Sequence, residues 1–155
     1  MLKLISLLVC SVTLGCSSTH SPVPQFQSSK LKNSFEEAVS IDVTFNLLNY
    51  NKEPIRLVKY VYSVVIDGEV VYEGVLEAEQ TLPQGEGATA TIPIVISRTH
   101  LDGKEDVTWY LNGSLTYIST DALAETLFDS KLWQPTIAFG ATDSLEVPSI
   151  EWILG

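Results

Sequence analysis

The amino-acid sequence predicts an all-β domain of about seven short strands that pack as a β-sandwich. Polar and apolar residues alternate over residues 35–47, as in a strand with one face on a core and the other in water. The pair Asp67-Gly68 stands between β-branched residues, which is the pattern of a tight hairpin. Turn-forming residues recur at short intervals along the chain. Many short strands joined by frequent turns are typical of a β-sandwich.

The first two predicted strands are residues 35–47 and residues 55–66. In the first, apolar residues occupy mainly the odd positions, with polar residues between them. In the second, valine, tyrosine and isoleucine occupy every other position from residue 58 to residue 66. The turn formers of residues 49–54 separate the two strands.

The third and fourth predicted strands follow the hairpin. An Asp-Gly pair accepts the positive φ angles of a type I′ turn, so we expect the return strand over residues 69–77. Gly74 within it predicts a β-bulge or a close approach of another group. Residues 83–87 form the next turn, and residues 88–97 the fourth strand. Pro93 favours an edge position or a bulge for that strand.

The rest of the domain is less regular. Residues 100–106 are predicted to form a polar loop or a short helical turn, and residues 107–119 a fifth strand. Residues 121–132 fit either a short helix, capped by Thr120 or Asp121, or a connecting loop. Two last strands are expected at residues 136–139 and 144–154.

Charge and composition argue against several classes of partner and of functional site. The chain carries 9 Lys and Arg against 19 Asp and Glu, a net charge of -10. Nucleic-acid binding depends on clustered basic residues, so we expect no nucleic-acid partner. His20 and His100 are the only histidines, and we expect both to be solvated rather than metal ligands or catalytic groups. The acidic stretch 102–106 lacks the ligand spacing of a calcium loop.

The first residues have the layout of a processing segment. A short positive start is followed by an apolar run over residues 4–14, which is too short to span a membrane and fits a secretory signal peptide at residues 1–15. Residues 12–16, Val-Thr-Leu-Gly-Cys, resemble the lipobox of bacterial lipoproteins. The resemblance implies lipidation at Cys16, and more than one alkyl chain makes membrane attachment stable. Cys10 leaves with the leader, so the mature chain has no cysteine pair for a disulfide. The alternative is an ordinary signal peptide cut elsewhere.

Residues 16–33 are expected to form a lipidated cysteine followed by a flexible tether. The segment is rich in Ser, Gln, Lys and Pro and shows no apolar period. By resemblance to the sorting rule of such lipoproteins, Ser17 favours the outer membrane, with the domain of residues 34–155 facing the periplasm. No later stretch has the ~18 apolar residues of a spanning helix.

The middle of the chain resembles the type 2 late embryogenesis abundant (LEA type 2) family, also called the water stress and hypersensitive response (WHy) domain. The shared pattern is an asparagine-rich turn, an Asp-Gly hairpin, a glycine in the return strand, and a Pro/Gly turn before an apolar strand. The matching positions are Asn49, Asn51, Asp67, Gly68, Gly74, Pro83 and Gly85. Tyr50 departs from the pattern, because the family usually has proline there.

The resemblance implies an immunoglobulin- or fibronectin-III-like sandwich that is associated with dehydration and other stress. It implies no catalytic residues, so we expect a non-enzymatic protein. We also expect no metal, no cofactor and a monomer. Our first hypothesis is an anchored domain that protects envelope components during drying or osmotic stress. The alternative is an adaptor that binds a lipid or a protein of the envelope, in a sandwich that opens at one end or through an edge strand. An enzyme is the least favoured class, since no nucleophile–base pair or metal set is visible.

Overall fold

The computed structural model describes residues 20–148. The predicted signal peptide, Cys16 and the last part of the final predicted strand lie outside these residues. The described chain forms seven strands, one 3₁₀ turn and one helix, in this order: β1 (Val23–Ser34), β2 (Ala38–Leu48), β3 (Ile55–Ile66), β4 (Glu69–Leu82), β5 (Gly87–Ser97), the 3₁₀ turn (Arg98–His100), β6 (Asp106–Ser119), α1 (Ala122–Asp129) and β7 (Thr136–Glu146).

The strands form two antiparallel sheets, and the predicted all-β sandwich is confirmed. One sheet has the order β1-β2-β5, and the other has the order β4-β3-β6-β7. Three strands against four, all antiparallel, is the architecture shared by immunoglobulin-like sandwiches. The strands β1, β5, β4 and β7 are the four edges. Pro93 lies on the edge strand β5, whose pairing with β2 has no bulge, so the predicted edge position is the correct one.

Alternating burial along the strands builds the core. In β2 every second residue is buried, which matches the alternation in the sequence. The buried faces of β2 and β5 meet those of β3 and β6 to form one apolar cluster between the sheets. Removing this apolar area from water is the main favourable term for folding. Among residues 20–148 the largest fully buried side chain is that of Trp109 in β6.

The predicted flexible tether is wrong from Val23 onwards, because this segment is strand β1. It pairs with β2 along its whole length, and Pro22 just before it is buried. Two register shifts, at Phe26/Ser28 and at Leu31/Asn33, interrupt the two-residue period. β1 is also an edge strand with few buried side chains. The pairing depends on backbone hydrogen bonds, which leave no apolar period in the sequence.

The C-terminal elements also differ from the prediction. Two strands were expected at residues 136–139 and 144–154, but up to residue 148 the chain forms a single strand here, β7. Gly140, Ala141 and Thr142 continue the pairing with β6 without a break, so the small residues there do not make a turn. The count of seven strands was therefore right only because the added β1 offsets the merged strands.

The segment left open between helix and loop is helical. Asp121 is the N-cap of α1, and its side chain accepts a hydrogen bond of 2.8 Å from the Ala124 backbone N–H. This hydrogen bond is the largest of several causes that lower the pKa of the Asp121 carboxyl. Ala124 is the buried residue of the helix, whereas Leu123 beside it is exposed.

A row of glycine and aromatic residues crosses the four-stranded sheet. Tyr62 in β3 lies directly between Gly74 of β4 and Gly113 of β6. The Tyr62 ring covers Gly74, and the Phe139 ring of β7 covers Gly113. The Tyr62 hydroxyl donates a hydrogen bond of 2.6 Å to the Pro93 carbonyl oxygen of β5, which links the two sheets. Gly74 is thus a point of close approach, as predicted.

We expect Gly74→Val to destabilise the domain by about 1–3 kcal/mol, because overpacking a filled site forces neighbouring groups to move. A Cβ atom at residue 74 would stand 2.5 Å from the Tyr62 ring carbon Cζ. Urea unfolding followed by circular dichroism measures the free energy of unfolding. The control is Val75→Thr, at the exposed neighbouring position. Equal stability of Gly74→Val and the wild-type protein would contradict the packing described here.

Candidate functional site at the two ends of the sandwich

The sandwich has two ends of different character. The asparagine end contains His20, the turns at residues 49–54 and 83–86, and the segment 120–135 with α1. The hairpin end contains the Asp67-Gly68 turn, residues 98–105 and residue 148. Strand pairing fixes this division, since Leu48 faces both Val23 and Gly87 in one sheet and Ile55 faces both Leu82 and Ser119 in the other.

Asn49 is the centre of the asparagine end. The residue is 1% exposed. Its Nδ2 donates hydrogen bonds of 2.9 Å to the carbonyl oxygens of Glu53 and Pro83, and its backbone N–H donates to the Glu86 carbonyl. Buried amides are retained only where such bonds replace those to water. Asn49 therefore joins the β2–β3 turn to the β4–β5 turn.

Asn51 extends this network to the start of the described chain. The Asn49 Oδ1 accepts hydrogen bonds from the Asn51 backbone N–H at 3.0 Å and from its Nδ2 at 2.8 Å. The Asn51 side chain in turn pairs with both backbone groups of His20, accepting from its N–H at 2.6 Å and donating to its carbonyl at 2.7 Å. The Ser21 and Tyr117 hydroxyls share a bond of 2.8 Å. The segment that leads into β1 is thus fixed to the sandwich from His20.

The residues singled out by the sequence pattern fall into three places. Asn49, Asn51, Pro83 and Gly85 meet at the asparagine end, where the Gly85 N–H also donates to the Asn51 carbonyl. Gly74 lies in the middle of the sheet. Asp67 and Gly68 form the β3–β4 hairpin at the opposite end, with φ angles of 52° and 84° that fit a type I′ turn. Cys16 lies outside the described residues.

The hairpin end carries a cleft that the sequence did not reveal. The cleft opens between the edge strands β1 and β7 and has a volume of about 1160 Å³. Its floor is apolar and includes Ile41, Leu101, Trp109 and Leu145, whereas its rim is mostly acidic. The residues come from five parts of the chain that only the tertiary fold brings together.

Two polar contacts hold the margins of the cleft. The Ser29 hydroxyl of β1 donates a hydrogen bond of 2.6 Å to Asp143 Oδ2 of β7, and this bond is the main cause of a lowered pKa of the Asp143 carboxyl. Arg98, 9% exposed, donates to the carbonyl oxygens of Phe35 at 2.7 Å and Pro148 at 2.9 Å and to the Ser34 hydroxyl at 2.6 Å. A buried guanidinium is stabilised by such acceptors.

Two buried polar atoms have no hydrogen-bond partner among residues 20–148. They are the Trp109 Nε1 and the Tyr60 hydroxyl oxygen. Burial raises the pKa of Tyr60 to about 12, so the phenol is neutral at physiological pH. Unsatisfied buried donors are uncommon in native proteins. Trp109 also borders the cleft, but it is 0% exposed, so its N–H is enclosed in the core between the sheets.

Metal ligands do not gather anywhere within the part of the chain that the structure describes. His100 lies in the 3₁₀ turn, and its backbone carbonyl accepts a hydrogen bond from Lys104. In the predicted loop 100–106, Lys104 also forms an ion pair of 2.6 Å with Asp67 across the hairpin end. From residue 20 to residue 148, no helix has the length and apolar character needed to cross a membrane.

Comparison with solved structures finds proteins with a similar fold. A late embryogenesis abundant (LEA) protein, At2g46140.1, has a solution structure that matches with a TM-score of 0.63 and 14% identity, covering 84% of this chain and 73% of that one. The protein AT1g01470 from Arabidopsis thaliana matches with a TM-score of 0.63 and 13% identity over 88% of this chain and 91% of the other. A protein from Archaeoglobus fulgidus matches with a TM-score of 0.52 and 13% identity, covering 86% and 100% of the two chains.

A scan against protein-family models gives no match, and neither does a search of curated proteins. The structural matches confirm the LEA-type fold that the sequence pattern indicated. At these identities, the likeness concerns the fold and not the activity.

We expect Asn49→Ala to lower the free energy of unfolding by about 2–3 kcal/mol, because it leaves several buried backbone groups without a partner. The same substitution should speed hydrogen exchange at the Asn51 and His20 amides, since the Asn51 side chain loses the Asn49 Oδ1. Asn33→Ala, at an exposed position in β1, is the matched control. Unchanged stability and exchange in Asn49→Ala would show that this end does not depend on the network.

We expect Ser29→Ala to raise the pKa of Asp143 towards its ordinary value. A carboxyl whose pKa is lowered by folding adds stability above its unfolded pKa, and this contribution disappears as the pH falls through the folded pKa. Without the Ser29 hydroxyl this acid-sensitive contribution becomes smaller. Carbon-13 NMR titration of the Asp143 carboxyl measures the change. Ser28→Ala should leave the titration as it is, and an unshifted Asp143 in Ser29→Ala would contradict the assigned cause.

Proposed function

We propose that the protein is a non-enzymatic lipoprotein of the bacterial envelope whose LEA-type domain protects envelope components during desiccation or osmotic stress. The observation that carries this proposal is the match of the fold to a LEA protein, together with the asparagine and hairpin pattern of the sequence. The lipobox-like residues 12–16 support a lipid anchor on Cys16. On this proposal the anchor is in the outer membrane, the domain faces the periplasm, and the protein acts as a monomer.

The physical basis of protection is a strongly charged surface on a stable scaffold. A net charge of -10 keeps molecules apart and hydrated when water becomes scarce. The edge strand β4 exposes Glu73, Glu77 and Glu79. Carboxylates along an edge also hinder pairing with the strands of other proteins, which is the first step of β-aggregation. The protein would therefore shield its neighbours without aggregating itself.

The scaffold distinguishes this mechanism from that of disordered stress proteins. A chain of low hydrophobicity and high charge cannot bury enough apolar surface to fold. This chain instead buries a continuous apolar core between two sheets. Its surface charges thus keep fixed positions during drying, and the protective surface does not depend on a random coil.

Drying a labile client enzyme tests the proposal. We expect the mature chain without its lipid to preserve more client activity than an equally acidic, unrelated sandwich at the same mass. A variant with Glu73→Gln, Glu77→Gln and Glu79→Gln should protect less, because the acidic edge is neutralised while the residues keep their size. A Lys30→Gln variant is the control, since it alters a solvated charge on β1 and makes the net charge more negative. Recovery no better than with the unrelated sandwich would refute protection.

The cleft supports a second candidate function, an adaptor that holds an acyl chain of an envelope lipid. An apolar floor, the exposed Leu31 on the β1 wall and a volume of about 1160 Å³ suit an apolar chain. Binding of a fluorescent fatty acid that is weakened by Leu31→Glu, which places a charge on the exposed lining of the cleft, would favour this function. A protein that protects the client enzyme and binds no fatty acid would favour the first proposal.

A further inference from the structure

Large apolar side chains are exposed at the asparagine end. Within residues 20–148 the two most exposed are Leu132 at 77% and Leu123 at 69%. Tyr50 at 66% and Trp133 at 43% belong to the same end. They come from two separate parts of the chain, the β2–β3 turn and the segment around α1. Large exposed apolar side chains at one end of a domain are suited to contact with a partner surface.

The local structure holds these side chains outwards. The buried residue of α1 is Ala124, so Leu123 on the neighbouring position points away from the sandwich. After the helix, the backbone N–H groups of Leu132 and Trp133 both donate to the Leu127 carbonyl, at 3.0 and 3.2 Å. This turn fixes the backbone of the two apolar residues at the asparagine end. Tryptophan and tyrosine are the side chains that favour the membrane–water interface.

The N-terminal attachment brings the same end towards a membrane. His20 is held by both of its backbone groups to Asn51. Only three residues, 17–19, separate it from Cys16. Since a residue spans at most ~3.3–3.6 Å, the Cα atoms of Cys16 and His20 are at most about 14 Å apart. A lipid on Cys16 would therefore hold the asparagine end close to the bilayer.

We propose that the asparagine end is seated on the bilayer surface, with its exposed apolar side chains in the interfacial layer. This inference rests on the lipid anchor proposed above. The hairpin end, with the cleft, then faces away from the membrane. The short spacing between Cys16 and His20 thus sets the orientation of the domain as well as its attachment.

The charges of this end indicate which lipids it meets. The basic residues Lys52 and Lys131 are outnumbered by five acidic residues, namely Glu53, Glu86, Asp121, Glu125 and Asp129. An acidic end is repelled by anionic headgroups, and this repulsion extends over roughly a Debye length of ~8–10 Å. The membrane surface that the asparagine end contacts is therefore one of zwitterionic phospholipid. Apolar contact, and not charge attraction, holds the end there.

The test uses the lipidated full-length mature protein in vesicles of phosphatidylcholine and phosphatidylethanolamine. Lipidation blocks the thiol of Cys16, so a single introduced cysteine can carry a fluorescent label. One variant is Leu132→Cys, at the asparagine end. The matched control is Val70→Cys, an exposed apolar position, 56% exposed, beside the hairpin turn. Flotation of the vesicles first shows whether the protein is attached, and quenching by a lipid with a nitroxide near its headgroup then reports the depth of each label.

We expect the label at residue 132 to be quenched at least about threefold more than the label at residue 70, because an interfacial face lies ~5–10 Å into the headgroup boundary. Adding Leu123→Ser and Trp133→Ser should reduce the quenching at residue 132 towards that at residue 70. Attached protein with equal quenching at both positions, or with quenching unaffected by these substitutions, would overturn the orientation while the anchor stands. Protein that does not float would refute the anchor and the orientation together.

Discussion

The buried carboxamide of Asn49 is the constraint on which the asparagine end depends. A primary amide removed from water needs several partners at once, and backbone groups of two turns supply them here. Satisfying the amide fixes the β2–β3 turn against the β4–β5 turn. Through Asn51, the same network holds the backbone of His20. One side chain therefore determines both how the two sheets close at this end and where the chain enters the domain.

The two ends are suited to different tasks. The asparagine end is tied to the segment that follows Cys16 and exposes large apolar side chains, which fits a surface that rests on a membrane. The hairpin end holds its loops together with Arg98 and with the Lys104–Asp67 pair around an apolar-floored cleft. Between them, the Tyr62 hydroxyl and the shared core keep the sheets in a fixed relation. In the proposed orientation, attachment at the asparagine end would leave the hairpin end and the acidic β4 edge free to meet neighbouring molecules.

Periodicity explains where sequence reasoning succeeded and where it failed. Strand β3 was predicted with its observed limits, because one of its faces is buried throughout and its ends are marked by turn residues. Strand β1 was missed, since two register shifts and an exposed edge position remove the alternation that periodicity detects. The asparagines were singled out by a family resemblance. Their role as a link to His20 could not be inferred, because it joins residues more than thirty positions apart.

The sequence by itself determined the all-β class, most strand limits, the Asp-Gly hairpin and the acidic surface. These features follow from local patterns of polarity and from the φ angles that particular residues accept. Only the tertiary structure decided that the presumed tether is a strand, and that the cleft lies between β1 and β7. It alone brought the exposed apolar residues to the end at which the chain enters the domain. Such features depend on contacts between distant segments, and the spacing of residues along the chain carries no record of those contacts.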